Sequence, residues 1–428
     1  MKNSLMILAV VVSLAAATPV LGAGFSIFEQ GAAATGMAMA FTARADDPSA
    51  VFYNPAGITQ LEGTHLSIGA TIISPEAEMK DPYGRTWKSD SQVFVPPTLY
   101  ATHSFSDVFS LGFGVGAYYG LGMKWDNNED FIYRTLVNEV NIESLYFNPV
   151  GAFSFGEHFS VAAGLYYVRS KVDYSANIDL SQLSAMLSQQ LGTTITLPEG
   201  ELKLEGDNDS GDYGFNLGFQ ARFNPWRFGL TYRSEVECAY EGDAQFNVTP
   251  TGYGSQIDGI VAGILPDTKG STSITMPASA SLGVAYDVTD ALSIEFDINW
   301  MDWSSYESLD LNFENPTTPD KSQPKHWDDA YSYRLGTRYL VTEAFEMYAG
   351  YLYDETPIPD ETLDPILPDA NRHSVQLGAG YRLGSVMIQA SYMALFFEDR
   401  ETTTNELGVN GDYQSFSHLI GMQLSYAF

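Results

Sequence analysis

The feature that most constrains the fold is a strict alternation of apolar and polar residues that recurs along most of the chain. In the segment 292–300, LSIEFDINW, every second residue is apolar and the residues between them are polar or acidic. The segment 386–392, VMIQASY, has the same period. Successive side chains of a β-strand point to opposite faces, so both segments predict strands with one apolar and one wet face. A membrane-spanning barrel has this pattern, and so does a soluble sandwich whose apolar face is the inner one.

The connections between the alternating segments favour the barrel. We predict about fourteen strands, and single-chain bacterial barrels have an even number. Short connections such as 106–107, 156–157 and 224–225 alternate with long ones such as 122–138 and 177–210. Short periplasmic turns and long external loops are typical of outer-membrane barrels. The predicted strands are 64–75, 94–105, 108–121, 139–155, 158–176, 211–223, 226–245, 270–287, 290–313, 328–341, 343–354, 373–384, 385–401 and 413–428.

The C-terminal segment supports the same interpretation. Ile420, Met422, Leu424, Tyr426 and Phe428 occupy alternate positions, and the last of them is an aromatic carboxyl-terminal residue. Such a last strand resembles the signal that the barrel-assembly machinery recognises, and chance alternation is the alternative. Mean hydropathy is -0.10 although 45% of the residues are hydrophobic. Alternation explains this combination, because the polar residues between the lipid-facing ones keep the average near zero.

The N-terminus predicts export. Lys2 supplies a positive charge, residues 5–17 form an apolar core, and Val20-Leu21-Gly22 is a small-residue cleavage site. We predict a signal peptide over 1–22, with cleavage after Gly22; cleavage after Ala23 is the alternative. Because no later apolar helix would stop transfer, the protein is expected in the periplasm, outside the cell or in the outer membrane.

Charge and the reactive side chains exclude several functions. The formal net charge of -32 argues strongly against a nucleic-acid partner. The acidic residues crowd into 126–130 and 354–369, which indicates a solvated surface or bridging by divalent cations to anionic lipopolysaccharide. Cys238 is the one cysteine, so no intramolecular disulfide can form. The six histidines are scattered, without a Ser/His/Asp grouping or metal-ligand spacing. We therefore expect no enzyme, no metal and no cofactor.

The segment 24–57, GFSIFEQGAAATGMAMAFTARADDPSAVFYNPAG, differs from everything that follows it. It is small, apolar and glycine-rich, does not alternate, and lacks the roughly 20 apolar residues that a membrane span needs. It ends in two turn-forming clusters, Asp46-Asp47-Pro48 and Asn54-Pro55-Ala56-Gly57. Since the rest predicts a large barrel, we interpret this segment as a plug inside it.

Three short motifs in and beside this segment resemble the N-terminal hatch of the FadL/OmpP1/TodX family. These are Ala23-Gly24-Phe25, Ala45-Asp46-Asp47 and Asn54-Pro55-Ala56. The resemblance continues through 230–236, LTYRSEV, and 354–359, DETPIP, to the C-terminal SYAF. Members of this family are outer-membrane transporters of long-chain fatty acids and other hydrophobic compounds.

The resemblance implies both a fold and a function. The fold is all-β: a transmembrane antiparallel β-barrel of about fourteen strands over 63–428, with a hatch at 23–62 in its lumen. The function is passive transport of long-chain fatty acids or similar hydrophobic compounds across the bacterial outer membrane. Its steps are capture by external loops, binding in the lumen, and lateral release into the membrane after movement of 23–25. An aromatic hydrocarbon or alkane transporter of the same family and a general diffusion porin are the alternatives.

The implied partners are a fatty acid or other hydrophobic small molecule, lipopolysaccharide and outer-membrane lipid, and the barrel-assembly machinery. We expect a monomer.

Two of the long loops are unusually apolar. Phe131, Ile132 and Leu136 lie in the second long loop, and Leu183 and Leu187 lie in the third at near-helical spacing. A loop helix packed on the barrel mouth would account for such residues. The resemblance implies instead an external apolar groove that first catches the ligand, and the same residues could serve both roles.

The predicted third strand is rich in glycine over 111–122. Glycine weakens a strand and marks a kink or a close approach of another backbone. One interpretation is close packing against the plug. The resemblance implies an inward kink that opens a lateral hole, with Gly114, Gly116 and Gly120 as candidates. It also implies that Asn54-Pro55-Ala56 seats the hatch at this opening.

The predicted fifth strand carries two cations near its upper end. Arg169 and Lys171 share a face with Tyr167, and in the lumen they would pair with a fatty-acid carboxylate or with lumenal acids. The resemblance places a basic residue of the inner ligand site here, so Phe25, Arg169 and Lys171 are the candidate lumenal ligand-binding residues. Another family lysine is replaced by Asp328, which leaves room for uncharged aromatic or alkane ligands.

Overall fold

The computed structural model describes residues 24–125 and 130–428. The signal peptide over 1–22, its cleavage site and most of the acidic segment 126–130 therefore lie outside the described residues. The strands are β1 (Thr64–Lys80), β2 (Thr86–Lys88), β3 (Pro97–Ser104), β4 (Phe109–Gly116), β5 (Gly120–Lys124), β6 (Glu139–Phe155), β7 (Phe159–Ile178), β8 (Gly200–Asp207), β9 (Asp212–Phe223), β10 (Trp226–Arg233), β11 (Val236–Asn247), β12 (Thr268–Met276), β13 (Ser279–Asp287), β14 (Leu292–Met301), β15 (Ser308–Phe313), β16 (Lys321–Pro324), β17 (Ala330–Leu340), β18 (Phe345–Asp354), β19 (Arg372–Leu383), β20 (Val386–Phe397), β21 (Arg400–Thr402) and β22 (Gly411–Ala427).

Short helices precede the barrel and interrupt its loops. None of the helices in the described ranges has the length and apolar character needed to span a membrane. The helices are α1 (Ala32–Gly36), α2 (Ala50–Tyr53), α3 (Ser181–Leu191) and α4 (Ser255–Ile264), together with 3-10 helices at Pro55–Gln60 and Trp303–Ser305.

Fourteen of these strands close into an antiparallel barrel, which confirms the predicted fold class and strand number. The first and last strands close it, since β1 pairs with β22 from His65 opposite Ala427 to Lys80 opposite Asp412. Several predicted long strands are broken in two: 226–245 is β10 and β11, and 290–313 is β14 and β15. The wall order is β1, β3, β4, β6, β7, β9, β10, β13, β14, β17, β18, β19, β20 and β22.

The direction of the alternation distinguishes the barrel from a sandwich. In β14, Ile294 and Phe296 are 37% and 44% exposed, whereas Glu295 and Asp297 are fully buried. The apolar row therefore faces outward, where lipid surrounds a transmembrane barrel, and the acidic row faces the interior.

Those two interior carboxylates bind the backbone of the segment that precedes the barrel. Asp297 accepts the N–H groups of Phe41 and Thr42 at 3.0 and 2.9 Å. Glu295 accepts the N–H of Ala43 at 2.6 Å. Three backbone hydrogen bonds from consecutive residues of the segment thus attach it to β14.

The same segment also contacts other sides of the wall. Gln423 of β22 accepts the N–H of Ala32 at 3.0 Å, and the hydroxyl of Tyr100 on β3 donates to the carbonyl of Gln30 at 2.9 Å. Nearly all side chains over 24–58 are buried. Contacts to strands as far apart as β3, β14 and β22 thus enclose the segment on several sides.

Candidate ligand-binding cavity

An apolar cavity lies between the inner faces of β5 to β8, β11, β12 and the loop that follows β18. It encloses about 950 Å³, its open mouth included. Its apolar lining comes from Phe25, Leu121, Val140, Ile142, Val172, Tyr174, Leu204, Tyr240, Ile274, Tyr306, Leu309, Trp327, Ile358, Ile366 and Leu367.

Phe25 contributes the N-terminal part of this lining. Its ring is 2% exposed and packs edge-on against Trp303, with centroids 4.7 Å apart. Trp327, Tyr306 and Tyr119 surround it at 5.9, 6.1 and 6.2 Å. The structure thus places Phe25 among aromatic rings at an apolar cavity, which is where a lumenal ligand-binding residue would lie.

Gly24 allows the chain to approach these rings. Its φ is +61°, and an added Cβ would lie 2.6 Å from the Trp303 ring, so a side chain is excluded on both counts. The N–H of Gly24 donates to Asp369 at 3.4 Å, and Asp369 also accepts the Thr356 hydroxyl at 2.7 Å. Burial raises the pKa of Asp369 above its usual value, although the nearby Arg372 acts in the opposite direction.

The glycine-rich strand is broken beside the cavity. β4 ends at Gly116 and β5 begins at Gly120. The residues between them pair with the N-terminal segment instead of with a wall strand. Ile27 donates its N–H to the carbonyl of Tyr118, and Phe25 accepts the N–H of Gly120, both at 2.8 Å. The segment that lines the cavity therefore also holds the broken strand.

The wall has a gap at this break. β3 pairs with β4, and β5 pairs with β6, but no ladder joins β3 to β5 in the part of the chain that the structure describes. A second cavity, of about 600 Å³ with its mouth, opens here and is lined by Pro97, Ala117 and Ser144. Arg169 and Lys171 also line it.

The three candidate glycines have different surroundings. Gly114 lies within β4, where an added Cβ would meet Val51 at 2.9 Å, as close packing predicts. Gly116 and Gly120 bound the break, and a Cβ on Gly116 would meet the side-chain oxygen of Gln30 at 2.5 Å. Both interpretations of the glycine-rich strand thus find structural support, at different positions.

The Asn54-Pro55-Ala56 turn is built as its chemistry predicts. Asn54 caps the 3-10 helix by accepting the N–H of Ala56 at 3.2 Å, and it donates to the carbonyls of Thr42 and Phe219 at 2.8 and 3.0 Å. Phe219 belongs to β9, and Gly218 beside it leaves no room for a Cβ, which would meet Asn54 at 2.5 Å. The turn is therefore hydrogen-bonded to β9 and not to the broken strand.

Arg169 and Lys171 do not face the lumen, so their predicted position is wrong. In β7 the buried residues are Val168 and Ser170, and the odd-numbered positions face outward with Leu165, which is 68% exposed. Arg169 donates to the carbonyl of Asp209 at 2.6 Å. The sequence contained the information needed for the correct orientation. The apolar residues that face outward earlier in β7 occupy odd-numbered positions, as Arg169 does.

The cation that does line the apolar cavity is Lys325. Its ammonium group lies 2.6 Å from Asp364, and the two side chains are only 5% and 4% exposed. Gln323 donates to the same carboxylate oxygen at 2.9 Å. Lys325 is the one cation among the described lining residues, and Asp364 neutralises it. Within the described ranges no group of His, Cys, Asp and Glu side chains is arranged to hold a metal ion.

The apolar loop residues belong to two packed clusters. Phe131 is fully buried and stacks on Trp125 with centroids 4.9 Å apart, and Ile132 and Leu136 are half-buried beside it. Leu187 belongs to another cluster.

This second cluster joins the two loop helices. Leu183 and Leu187 of α3 pack there with Ile257 and Val261 of α4. α3 is the loop helix that the spacing predicted, and α4 was missed. The shared groove implied by the resemblance stays a prediction.

Comparison with known proteins identifies the family. The family described as outer membrane protein transport protein (OMPP1/FadL/TodX) matches residues 13–428. The chain belongs to this family. Its place is accordingly the bacterial outer membrane, and its β-barrel is that of a FadL-type transport protein.

Individual FadL-family relatives match over nearly their whole length. The long-chain fatty acid transport protein of Escherichia coli (strain K12) is 26% identical over 448 residues, which cover 98% of each chain. The 47 kDa outer membrane protein of Pasteurella multocida is 27% identical, covering 95% of this chain and 94% of that one.

Among solved structures, a Pseudomonas aeruginosa FadL homologue matches with a TM-score of 0.82 at 23% identity, covering 95% of this chain and 100% of that one. The CymD monoaromatic hydrocarbon channel matches with a TM-score of 0.71 at 20% identity, covering 95% and 99%.

Proposed function

We propose that this protein carries hydrophobic molecules passively across the outer membrane, through capture at the external loops, binding in the apolar cavity, and lateral release at the broken strand. One observation carries the proposal: Phe25 lines the cavity, and the segment 25–27 to which it belongs pairs with the break between β4 and β5. Any ligand that displaces Phe25 therefore acts on the residues that close the gap.

The energies of this coupling are compatible with passive transport. Burying a ligand contributes roughly 25 cal/mol for each Å² of apolar surface, so burial of about 200 Å² contributes about 5 kcal/mol. The two backbone hydrogen bonds that hold Phe25 and Ile27 contribute about 0.5–1.5 kcal/mol each. A ligand that binds the displaced state better can thus shift the equilibrium without another energy source.

We propose that residues 23–62 form a hatch that keeps the barrel from being an open pore. Its support is the set of hydrogen bonds to Glu295, Asp297 and Gln423 on different sides of the wall. A general diffusion porin would lack such a plug and would show large, stable conductance in a planar bilayer. The family relationship to transport proteins supports a non-enzymatic role.

The substrate class follows from relatives and from the cavity together. The relatives include a long-chain fatty acid transport protein and a monoaromatic hydrocarbon channel, and we extend both classes to this chain. The cavity itself accepts the apolar part of either, since its one cation is already paired with Asp364. Binding to lipopolysaccharide, assembly by the barrel-assembly machinery and a monomeric state stay predictions.

Ligand binding by detergent-purified mature protein tests the proposal. Oleate and an uncharged alkylbenzene should both quench the fluorescence of the tryptophans around the cavity, Trp303 and Trp327. Phe25→Ala should weaken both ligands about tenfold, because a buried Phe contributes about 1.5–3 kcal/mol. The matched control is Phe113→Ala, on the outer face and 38% exposed. If neither ligand binds, or if the two variants behave alike, the cavity is not the transport site.

A further inference from the structure

A second, polar cavity lies between the N-terminal segment and the wall. It encloses about 410 Å³ and has two arginines in its lining, Arg233 at the end of β10 and Arg334 in β17. Hydroxyl and amide groups of Thr231, Ser281 and Asn299 complete the polar part. No acidic side chain is among its described lining residues.

Both guanidinium groups are held by aromatic rings. Arg233 is 9% exposed and lies 4.8 Å from the ring of Phe52 and 4.5 Å from that of Tyr118. Arg334 is 4% exposed and lies 4.2 Å from the ring of Phe28. Cation–π contacts of this kind fix the position of a guanidinium group and leave its N–H groups available to a ligand.

The two guanidinium groups have N–H donors that the protein does not fully use. Arg233 donates from Nη2 to the carbonyl of Phe52 at 3.2 Å, while its buried Nη1 has only the hydroxyl of Tyr118 as a poorly aligned neighbour. The Nε of Arg334 is buried without a partner in the described part of the chain. Buried polar groups normally have partners, so these two indicate that something completes the site.

The charge of the two arginines is not balanced by an ion pair. Other buried cations of this chain pair with carboxylates, as Arg338 does with Glu346 at 2.6 Å and Lys325 with Asp364 at the same distance. Neither Arg233 nor Arg334 forms an ion pair within the described ranges, although the chain has 53 acidic residues. A buried charge is costly unless it is paired, which favours binding of a counter-ion.

The acids near Arg334 have other partners. Asp297, Asp354 and Glu29 attract Arg334 but lie beyond ion-pair distance. Asp297 accepts backbone N–H groups of the N-terminal segment, and Asp354 pairs with Arg372.

We propose that Arg233 and Arg334 form a carboxylate-binding subsite of the lumen, separate from the apolar cavity. Forked guanidinium donors match the geometry of a carboxylate, and the flanking rings suit the first methylene groups of an acyl chain. The ligand of the subsite is the head group of a fatty acid or a short free carboxylate. Only the first of these rests on the proposed transport function.

The position of the subsite relates it to the lateral gap. Tyr118, on which Arg233 stacks, lies in the break between β4 and β5. Tyr118 also stacks on Tyr146, with ring centroids 4.4 Å apart, and Tyr146 lies 6.1 Å from Tyr119, a neighbour of Phe25. A continuous series of aromatic rings thus joins the subsite to the apolar cavity. A bound carboxylate would hold an acid next to its exit.

The test compares decanoate, decanol and acetate on the full mature protein in detergent. Arg334→Gln should weaken decanoate about tenfold or more and leave decanol unchanged, because only the carboxylate loses a charged donor. Lys80→Gln, at a side chain that is 55% exposed, serves as the control and should change neither ligand by more than about twofold. Decanoate labelled with ¹³C at its carboxyl group should titrate at lower pH when bound than when free.

The outcomes separate the subsite from the transport function. If decanol binds and Arg334→Gln does not change decanoate binding, or if Lys80→Gln weakens decanoate equally, the subsite is overturned while transport of hydrophobic molecules stands. If decanoate requires Arg334 and decanol does not bind, the subsite stands and the apolar cavity loses its proposed role. Acetate that binds as tightly as decanoate, with the same dependence on Arg334, supports the subsite and identifies a free carboxylate as its ligand.

Heat-modifiable migration in gels would show whether Arg334→Gln folds. If it does not fold, a second variant tests the subsite. Arg233→Lys keeps the charge but removes the forked donors, so it should weaken decanoate and leave decanol unchanged. A labelled carboxyl group that titrates identically bound and free in the wild-type protein overturns the subsite without any variant.

Discussion

Ile27 donates its backbone N–H to the carbonyl of Tyr118 at 2.8 Å, and this bond joins the N-terminal segment to the break in the barrel wall. Phe25, two residues earlier, accepts the N–H of Gly120 across the same break. The segment thus substitutes for a wall strand where β4 and β5 separate. Because Phe25 also lines the apolar cavity, we expect occupancy of the cavity to affect closure of the gap.

Removing that bond should uncover the gap. Proline at position 27 has no N–H, so Ile27→Pro loses the bond to Tyr118 and about 0.5–1.5 kcal/mol of local stability. We expect faster uptake of a fluorescent fatty acid into cells that express the variant. Ile27→Ala keeps the N–H and controls for the loss of the side chain. Uptake that is equally fast in both variants, or unchanged in either, would show that the bond does not gate the gap.

The interior carboxylates should hold the N-terminal segment in place. Asp297 accepts two backbone N–H groups, and each hydrogen bond contributes about 0.5–1.5 kcal/mol. Asp297→Leu should therefore release the segment and produce transient high-conductance openings in planar bilayers. Asp243→Leu, a change of the same kind at an exposed residue of β11, should leave the bilayer closed. If Asp297→Leu shows as few high-conductance openings as Asp243→Leu, Asp297 does not anchor the N-terminal segment.

The stability of the N-terminal segment should depend on pH through Asp47. Burial raises the pKa of Asp47 to about 6, although its hydrogen bonds from Ser49 act in the opposite direction. In the neighbouring Asp46, burial also acts to raise the pKa, but Arg338 and Arg44 outweigh it and hold the value at about 2.

A raised carboxyl pKa means that the folded segment binds the proton more tightly than the unfolded one does. Its stabilisation is therefore present at low pH and is lost as pH rises from about 4 through about 6, by at most about 3 kcal/mol.

Hydrogen exchange measures this effect. Residues 47–53 should be better protected at pH 5 than at pH 7.5, after correction for the intrinsic exchange rates. Asp47→Asn, which cannot ionise, should remove the difference and keep protection high at pH 7.5. A pH dependence that persists in Asp47→Asn would assign it to another group.

The barrel could be predicted from the sequence because strand alternation is a local property. Fourteen strands and the loop helix α3 follow from the spacing of apolar residues. The error at Arg169 arose from the phase of the alternation in β7, where a one-residue shift moves every side chain to the other face. The exposed Phe159 and Leu165 give the correct phase.

The cavity could not be predicted because its partners come together only in the folded barrel. Lys325 and Asp364 are 39 residues apart and belong to different loops, so no local pattern pairs them. The same is true of Arg233 and Arg334, which lie on β10 and β17. Strand breaks such as the one after Gly116 are also absent from the period-two signal, since the alternation continues across them.

The pairing of Lys325 with Asp364 should set the charge preference of the apolar cavity. Because the ammonium group is neutralised at 2.6 Å, a ligand carboxylate entering the cavity has to compete with Asp364. Asp364→Asn removes that competition and leaves a buried cation unpaired. We expect the variant to bind 4-butylbenzoate about tenfold more tightly or better, and butylbenzene as the wild type does.

Competition calorimetry on the two ligands checks this prediction. Asp360→Asn is the matched control. Asp360 lies in the same loop as Asp364, pairs with Arg400 of β21, and has a side chain that is 57% exposed. That variant should leave both affinities unchanged. If Asp364→Asn weakens the binding of butylbenzene as strongly as it strengthens the binding of 4-butylbenzoate, the ion pair also maintains the shape of the cavity. If it changes neither affinity, Lys325 does not face the ligand, and the ion pair does not set the charge preference of the cavity.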